Sequence, residues 1–321
     1  LTYEYEDSMT SALLSLCNIA PDNKLYPSGI KVLDRQNGGI PKSEYMFISG
    51  TNGSLKTMVA MWMTFSILLT QKTWKCCFFE KEMSRAAIMN RIYSTISGIP
   101  LQQLMLSTDE QRASYNKMIM EKLVTPEYKD WYDALQRLEI ITSEQFDNVL
   151  DMYQFIDSKK ADFFVLDYFT AMGEERDDKL NTLDYWNSQG KKLKSLVKAT
   201  KTFGIVLGQL KQNTVETYDR TNKIGSQNEA EYAGVVNQNS AIQFTTFNPS
   251  KFYSKDYVPS KYFYLINIKN RYGSPNFDDG TKFIIPLIAQ PQTATLMQPD
   301  KIEEDMMFKW INDYQKKGSK I

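Results

Sequence analysis

The stretch GTNGSLKT, residues 50 to 57, carries the residue types that bind phosphate groups. It nearly fits the pattern G-x-x-x-x-G-K-[ST], in which backbone N–H groups cradle the phosphates, the lysine reaches the β and γ phosphates and the hydroxyl coordinates Mg²⁺. The stretch therefore predicts a phosphate-binding loop, and the alternative is an ordinary corner between a strand and a helix. The candidate loop residues are Gly50, Thr51, Asn52, Gly53, Ser54, Leu55, Lys56 and Thr57.

Leu55 occupies the second glycine position of that pattern. The missing side chain normally lets the backbone close on the phosphate there, so a leucine must point its side chain away. The additional Gly53 relieves the turn, because glycine adopts positive φ at no steric cost. We therefore expect the cradle of N–H groups to be intact in spite of Leu55.

Acidic residues follow two buried runs further along the chain. The run over 74–79, WKCCFF, is followed by Glu80 and Glu82, and the run FFVLD ends at Asp167. Glu82 is a candidate catalytic base, with a charge that favours a helix start as the alternative. Asp167 is a candidate holder of Mg²⁺ or its water, with an ordinary cap or turn residue as the alternative.

Alternating strands and helices must position these groups. This alternation predicts an α/β fold, with a mostly parallel central sheet flanked by helices and with ligand bound beyond the carboxyl ends of the strands. Strands are predicted over 45–48, 74–79, 138–141, within 161–172, and over 203–210, 241–248, 261–269 and 281–288. Helices are predicted over 5–19, 57–70, 85–97, 108–123, 144–158, 183–201 and 305–316, with a connector over 126–132.

The bulk composition excludes several classes of chemistry. Lys plus Arg and Asp plus Glu balance at 38 each, so no global basic field holds nucleic acid. The chain has no histidine, which excludes His-based acid–base catalysis and His-ligated metal sites. Its three cysteines lack metal-ligand spacing and indicate buried thiols in a reducing compartment. With no spanning run and no secretory signal visible, we expect a cytoplasmic protein without a membrane partner.

Polar and basic residues follow the later strands. Gln209 lies near the end of FGIVLGQL, and Lys269 and Arg271 stand at the end of another strand. The segment 211–234 is polar and glycine-containing, and so long a loop in a compact domain is usually functional or mobile. The helix before Gln209 carries a run of lysines that is either a solvated face or a nucleic-acid contact, namely Lys191, Lys192, Lys194, Lys198 and Lys201.

The order of these parts resembles the motor domain of the DnaB-type hexameric replicative helicases, within the RecA-like P-loop ATPases. The resemblance covers roughly residues 28 to 288 and begins with SGIKVLDRQNGGIPKSEYMFISG, similar to the family's lead-in to its phosphate loop. FFEKEMS is close to the family's SLEMS, VLDYFTAM to IDYLQLM, LGQL to LSQL and IKNRYG to GKQRNG. Five motifs in the right order are far more specific than any one of them.

The resemblance implies a RecA-like fold that uses ATP and Mg²⁺. Lys56 and Thr57 would bind phosphate and Mg²⁺. Glu82 would activate the attacking water, and Asp167 would support the cation. The family resemblance thus assigns a role to each of the candidate site residues named above.

The resemblance also implies partners. Gln209 would sense the γ-phosphate and relay its state to a DNA-binding loop that begins at Lys211. Lys269 and Arg271 would reach the nucleotide of the adjacent subunit in a homo-oligomer, a hexameric ring. Single-stranded DNA is the implied substrate, and a primase or a helicase loader is a further partner. The divergence points to a phage or mobile-element origin, hence to the cytosol of a bacterial host.

The DNA-contacting segment departs from the family pattern. NEAEYAGVVNQNSA, residues 228–241, matches the family's DLRESGSIEQDAD poorly, and Glu231 falls where that pattern has arginine. The candidate DNA contacts are therefore basic, amide or aromatic residues elsewhere in the loop. They are Lys211, Gln212, Lys223 and Tyr232.

The predicted function is that of an ATP-dependent ring helicase, which translocates on single-stranded DNA and unwinds duplex DNA during replication. The alternatives are a RecA-type recombinase filament ATPase and a nucleotide-binding scaffold that does not hydrolyse ATP. The predicted domains are an N-terminal linker helix over 1–24, a RecA-like ATPase domain over 25–290 and a C-terminal tail with a short helix over 291–321. The linker helix packs on its own domain or on a neighbouring subunit, and the start at Leu1 suggests a longer parent chain.

Overall fold

The structure is a computed structural model that describes residues 24–51, 53–172, 182–210, 234–249, 261–274, 276 and 283–318. Its strands are β1 Leu25–Tyr26, β2 Ile40–Pro41, β3 Glu44–Gly50, β4 Cys76–Glu80, β5 Leu138–Thr142, β6 Phe163–Asp167, β7 Phe203–Gln209, β8 Ile242–Phe247, β9 Tyr262–Asn270, β10 Ile284–Gln290 and β11 Thr295–Met297. Its α-helices are α1 Lys31–Asn37, α2 Lys56–Thr70, α3 Arg85–Ser97, α4 Leu101–Leu106, α5 Asp109–Leu123, α6 Lys129–Leu135, α7 Val149–Lys159, α8 Thr182–Thr200, α9 Gly234–Asn239 and α10 Lys301–Gly318.

Nine of the described strands form one sheet, in the order β11-β10-β9-β8-β3-β7-β6-β4-β5. The strands from β8 to β5 in this order pair in parallel, whereas β9, β10 and β11 are added by antiparallel pairing. The mostly parallel central sheet flanked by helices is therefore confirmed. Since β9 runs antiparallel to β8, it ends at the edge where the parallel strands begin.

Hydrophobic clusters cover both faces of the sheet. On one face Val59 of α2 is buried in the same cluster as Phe78 and Val165. On the other face the helices α7 and α8 pack on the next residues along the same strands, such as Phe79. Burial on both faces accounts for the nearly continuous apolar runs of the parallel strands. Successive strand residues point to opposite faces, so the position of a residue in its strand decides which cluster it joins.

The helix predicted over 144–158 begins later, at Val149. The side chain of Asn148 accepts hydrogen bonds from the backbone N–H groups of Leu150 and Asp151. In return, the Asp151 carboxylate accepts the N–H of Asn148. This capping box fixes the helix start.

The connector predicted over 126–132 is helical instead. Pro126 opens a 3₁₀ turn that continues into α6, and Trp131 of α6 packs on Phe65 of α2 with ring centroids 4.8 Å apart. Packing against α2 therefore stabilises a helix that is too short to form on its own. The helix α4 also forms where none is predicted.

The C-terminal segment, predicted as a tail over 291–321, is joined to the sheet. Strand β11 pairs with β10, and α10 has 18 residues, which is longer than the predicted helix. Met307 and Ile311 of α10 are fully buried, and the Tyr264 hydroxyl donates a 3.0 Å hydrogen bond to the Met307 carbonyl. This segment thus packs as part of the same body as the sheet.

Candidate functional site

Four parallel strands end at one edge of the sheet and bring the candidate groups together. In the strand register Gly50 lies beside Gln209, and Glu80 lies beside Asp167. Gln209 is half-buried, and the backbone N–H of Leu210 donates to the Gly50 carbonyl. The phosphate-type loop and the acidic strand ends therefore meet at the carboxyl edge, where α/β proteins bind their ligands.

Gly50 begins the loop in a space that admits no side chain. A Cβ atom there would lie 2.1 Å from the Thr246 hydroxyl oxygen and 2.3 Å from that of Ser54. Ser54 is buried and accepts a 2.9 Å hydrogen bond from Thr246. The base of the loop is thus fixed to β8, with Thr51 half-buried beside it and Gly53 exposed.

Leu55 adopts the left-handed backbone conformation that glycine adopts freely, with φ 62° and ψ 22°. A residue with a side chain is disfavoured there by about 1–2 kcal/mol. Its side chain packs on the hydrophobic cluster under α2, as expected for one that turns away from phosphates. Gly53 also has positive φ, at 64°. The loop thus keeps the backbone of a phosphate cradle without its second glycine.

Lys56 and Thr57 begin α2, where the first backbone N–H groups of a helix favour an anion. The Lys56 ammonium donates to the carbonyls of Gly50 and Thr51 at 3.0 and 2.9 Å. The Thr57 hydroxyl donates a 2.6 Å hydrogen bond to Asp167 Oδ2. An amine, a hydroxyl and a carboxylate therefore converge at the start of one helix.

The two carboxyls that end β4 and β6 are buried together. Burial and the charge of Asp167 raise the pKa of Glu80 above its ordinary value. Burial also raises the pKa of Asp167, although the hydrogen bond from Thr57 and the charge of Lys56 lower it. A bound cation would relieve this repulsion, because it supplies the charge that two buried carboxylates lack.

Glu82 is exposed and lies just beyond β4. Its backbone N–H donates a 2.8 Å hydrogen bond to Glu80 Oε1, so the buried carboxyl fixes the turn that carries it. The charge of Glu82 also raises the pKa of Asp167, which places the two side chains around the same site. An exposed carboxylate at this edge can accept a proton from water beside a bound phosphate.

Lys269 and Arg271 lie at the opposite edge of the sheet. Asn270 pairs with Ile242 at the start of β8, and the Lys269 ammonium and an Arg271 guanidinium N–H both donate to the Gln238 carbonyl, at 2.7 and 2.9 Å. The length of β3 separates this edge from the loop, which is about 20 Å at about 3.3 Å per residue. The pair is therefore remote from the loop of its own chain.

Other predicted groups behave differently. Lys194, expected on an exposed face, is half-buried in an ion pair with Glu44 because it points at the edge of β3. The linker helix, Asn52 and all four candidate DNA contacts lie outside the described residues: they are residues 1–23, Asn52, Lys211, Gln212, Lys223 and Tyr232. Within the described residues, no helix has the length and apolarity that crossing a membrane requires.

Sequence reasoning did not assign a role to three residues that the structure places in contact with the candidate groups. They are Glu80, Thr246 and Gln238. For Glu80 the signal was present: it ends a buried strand on the same face as Phe78, so its carboxyl had to be buried. No comparable signal pointed to Thr246 or Gln238, because their roles depend on strand pairing between distant parts of the chain.

The sheet, the loop and the acidic strand ends define a P-loop ATPase domain. The family model for the DnaB-like helicase C-terminal domain matches residues 26–276, so the chain belongs to this family of helicases. As a member of the family, it is an ATP hydrolase of the helicase class. A comparison with curated proteins gives no match.

Two solved structures share the fold, each with a TM-score of 0.68 and 16% sequence identity. One is a DnaB-like replicative helicase, described together with its interactions with primase, and the similarity covers 92% of this chain and 67% of that one. The other is a separately solved ATPase domain, with 92% of this chain and 98% of that one covered. At this identity the likeness concerns the fold.

Proposed function

We propose that the chain is the motor of a ring helicase that hydrolyses ATP, translocates on single-stranded DNA and unwinds duplex DNA during replication. The observation that carries this proposal is the placement of two half-sites on opposite edges of one sheet. Lys56, Thr57 and Asp167 lie at the carboxyl edge, whereas Lys269 and Arg271 lie at the other. A neighbouring subunit is the natural source of the missing half.

The residues at the carboxyl edge fit a nucleoside triphosphate with Mg²⁺. The loop admits no side chain at Gly50, and the first backbone N–H groups of α2 and the Lys56 amine suit phosphate oxygens. Thr57 would contact the cation, and Asp167 would hold the cation or its water. ATP and Mg²⁺ together supply the phosphoryl group and the charge that these residues stabilise.

Hydrolysis needs a proton acceptor and a second cationic group. Glu82 accepts the proton of the attacking water at this edge. Lys269 and Arg271 act on the nucleotide of the adjacent subunit, where they neutralise charge in the transition state. This arrangement makes hydrolysis dependent on assembly into a homo-oligomer, which we propose is a hexameric ring.

The DNA contacts come from the loop that follows Gln209. Gln209 lies beside Gly50 and is placed to respond to the γ-phosphate. We propose that the segment from Lys211 grips single-stranded DNA, with Gln212, Lys223 and Tyr232 as contacts. A primase or a helicase loader is the further partner we propose, in the cytosol of a bacterial host if the chain is phage-encoded.

The test is ATP hydrolysis with and without single-stranded DNA, for the unmodified chain and for Lys56→Ala. We expect turnover that DNA stimulates and that Lys56→Ala removes. Nucleotide binding without turnover would instead indicate a scaffold. Turnover from open helical assemblies, seen by electron microscopy in place of closed rings, would indicate a recombinase-type filament.

A further inference from the structure

Glu80 is a fully buried carboxyl with one satisfied and one unsatisfied oxygen. Its Oε1 accepts 2.8 Å hydrogen bonds from the backbone N–H groups of Glu82 and Met83. Its Oε2 is buried and has no hydrogen-bond partner among the described residues. Leaving a buried polar atom unpaired is costly, so such an atom requires an explanation.

The strand geometry shows where this oxygen points. Glu80 and Asp167 are paired in the register of two parallel strands, so their side chains leave the sheet on the same face. That is the face of α2, because Asp167 is bonded to Thr57. Lys81 leaves on the opposite face, where its ammonium donates to the Phe146 carbonyl at 2.9 Å. The unpaired oxygen therefore faces the cation side of the proposed ATP site.

We propose that Glu80 is a positioning residue for hydrolysis. Its Oε1 fixes the turn that carries Glu82, and its Oε2 accepts a hydrogen bond from a water in the shell of the divalent cation. This inference rests on the proposed ATP site. We place a water between Glu80 and the cation because, among the described residues, no three acidic or cysteine side chains are close enough to hold a metal directly.

An isosteric substitution separates the two roles. In Glu80→Gln the amide oxygen can still accept the two backbone N–H groups, so the turn is retained. The amide nitrogen then takes the place of Oε2, and a nitrogen with two protons cannot accept a hydrogen bond from water. Residues that orient the surroundings of a metal typically change its affinity by roughly 10- to 100-fold when they are replaced.

The experiment is a Mg²⁺ titration of the binding of a fluorescent ATP analogue, with thermal unfolding as a second readout. For Glu80→Gln we expect unchanged binding without Mg²⁺ and a Mg²⁺ requirement raised by roughly 10-fold or more. The matched control is Glu110→Gln, an exposed glutamate on α5, for which the Mg²⁺ requirement should stay at the parent value.

Two results would overturn the inference. If Glu80→Gln has the Mg²⁺ requirement of the parent, then Glu80 has only a structural role, whether or not its melting temperature falls. If the unmodified chain shows no nucleotide binding at any Mg²⁺ concentration, the proposed ATP site fails together with the inference.

Discussion

The Thr57 hydroxyl donates a 2.6 Å hydrogen bond to the Asp167 carboxylate, although the two residues are 110 positions apart in the chain. This bond joins the first turn of α2 to the end of β6. It orients the hydroxyl beside a buried carboxylate, and hydroxyl and carboxylate oxygens are ligands that Mg²⁺ accepts. The pair is therefore the most direct structural sign of a cation site.

Asp167→Asn should weaken the binding of ATP in the presence of Mg²⁺ and leave the binding of metal-free nucleotide unchanged. The amide keeps the shape but loses the charge that supports the cation, so we expect an effect of roughly 10- to 100-fold on the Mg²⁺ requirement. Titration with a fluorescent ATP analogue, with and without EDTA, measures both. A variant with the Mg²⁺ requirement of the parent would remove Asp167 from the site.

Glu82→Gln should bind ATP normally and hydrolyse it slowly. The amide cannot accept the proton of the attacking water, and loss of a general base typically costs about 10²- to 10⁴-fold in rate. Single-turnover hydrolysis measures the chemical step, and Glu144→Gln, another exposed glutamate, is the control. If turnover does not change, Glu82 is only a charge near the start of α3.

Leu55→Gly and Leu55→Val should differ in a direction opposite to hydrophobicity. Glycine relieves about 1–2 kcal/mol of left-handed strain, which offsets the lost packing of the leucine side chain. Valine keeps more apolar surface, but a β-branched residue is a poor fit to positive φ. Urea unfolding should therefore rank Leu55→Gly as more stable than Leu55→Val. The reverse order would mean that packing and not backbone strain dominates at this position.

The strand–loop–helix unit around residues 44–57 could be predicted from the sequence because its signals are local: an apolar run, two glycines and a lysine followed by a hydroxyl. The edge on which Arg271 lies could not, since it depends on the antiparallel direction of β9, which strand pairing decides. Helix α6 was missed for a similar reason, because its stability comes from the contact of Trp131 with Phe65.

Arg271→Ala should bind ATP but not hydrolyse it, because Arg271 lies at the far edge of its own sheet and serves the neighbouring subunit. Where a finger arginine has been measured, it is worth about 10³- to 10⁵-fold in turnover. Mixing Arg271→Ala with Lys56→Ala subunits should restore part of the activity, since each supplies the half-site that the other lacks.

The control for this mixing experiment is Arg112→Ala, which removes an exposed arginine on α5 and should leave turnover unchanged. Normal hydrolysis by Arg271→Ala alone would show that the finger assignment is wrong. Mixed assemblies that stay inactive, although light scattering or mass spectrometry shows that both variants are present, would contradict a shared site.

The most direct test of a DNA-unwinding motor is strand displacement from a forked DNA duplex, followed by the fluorescence of a labelled strand. We expect the unmodified chain to separate the strands with ATP and Mg²⁺, and not with a non-hydrolysable ATP analogue. Lys56→Ala and Glu82→Gln should assemble but fail to separate them. A chain that hydrolyses ATP at the same rate with and without single-stranded DNA, and leaves the fork intact, would contradict the proposed function.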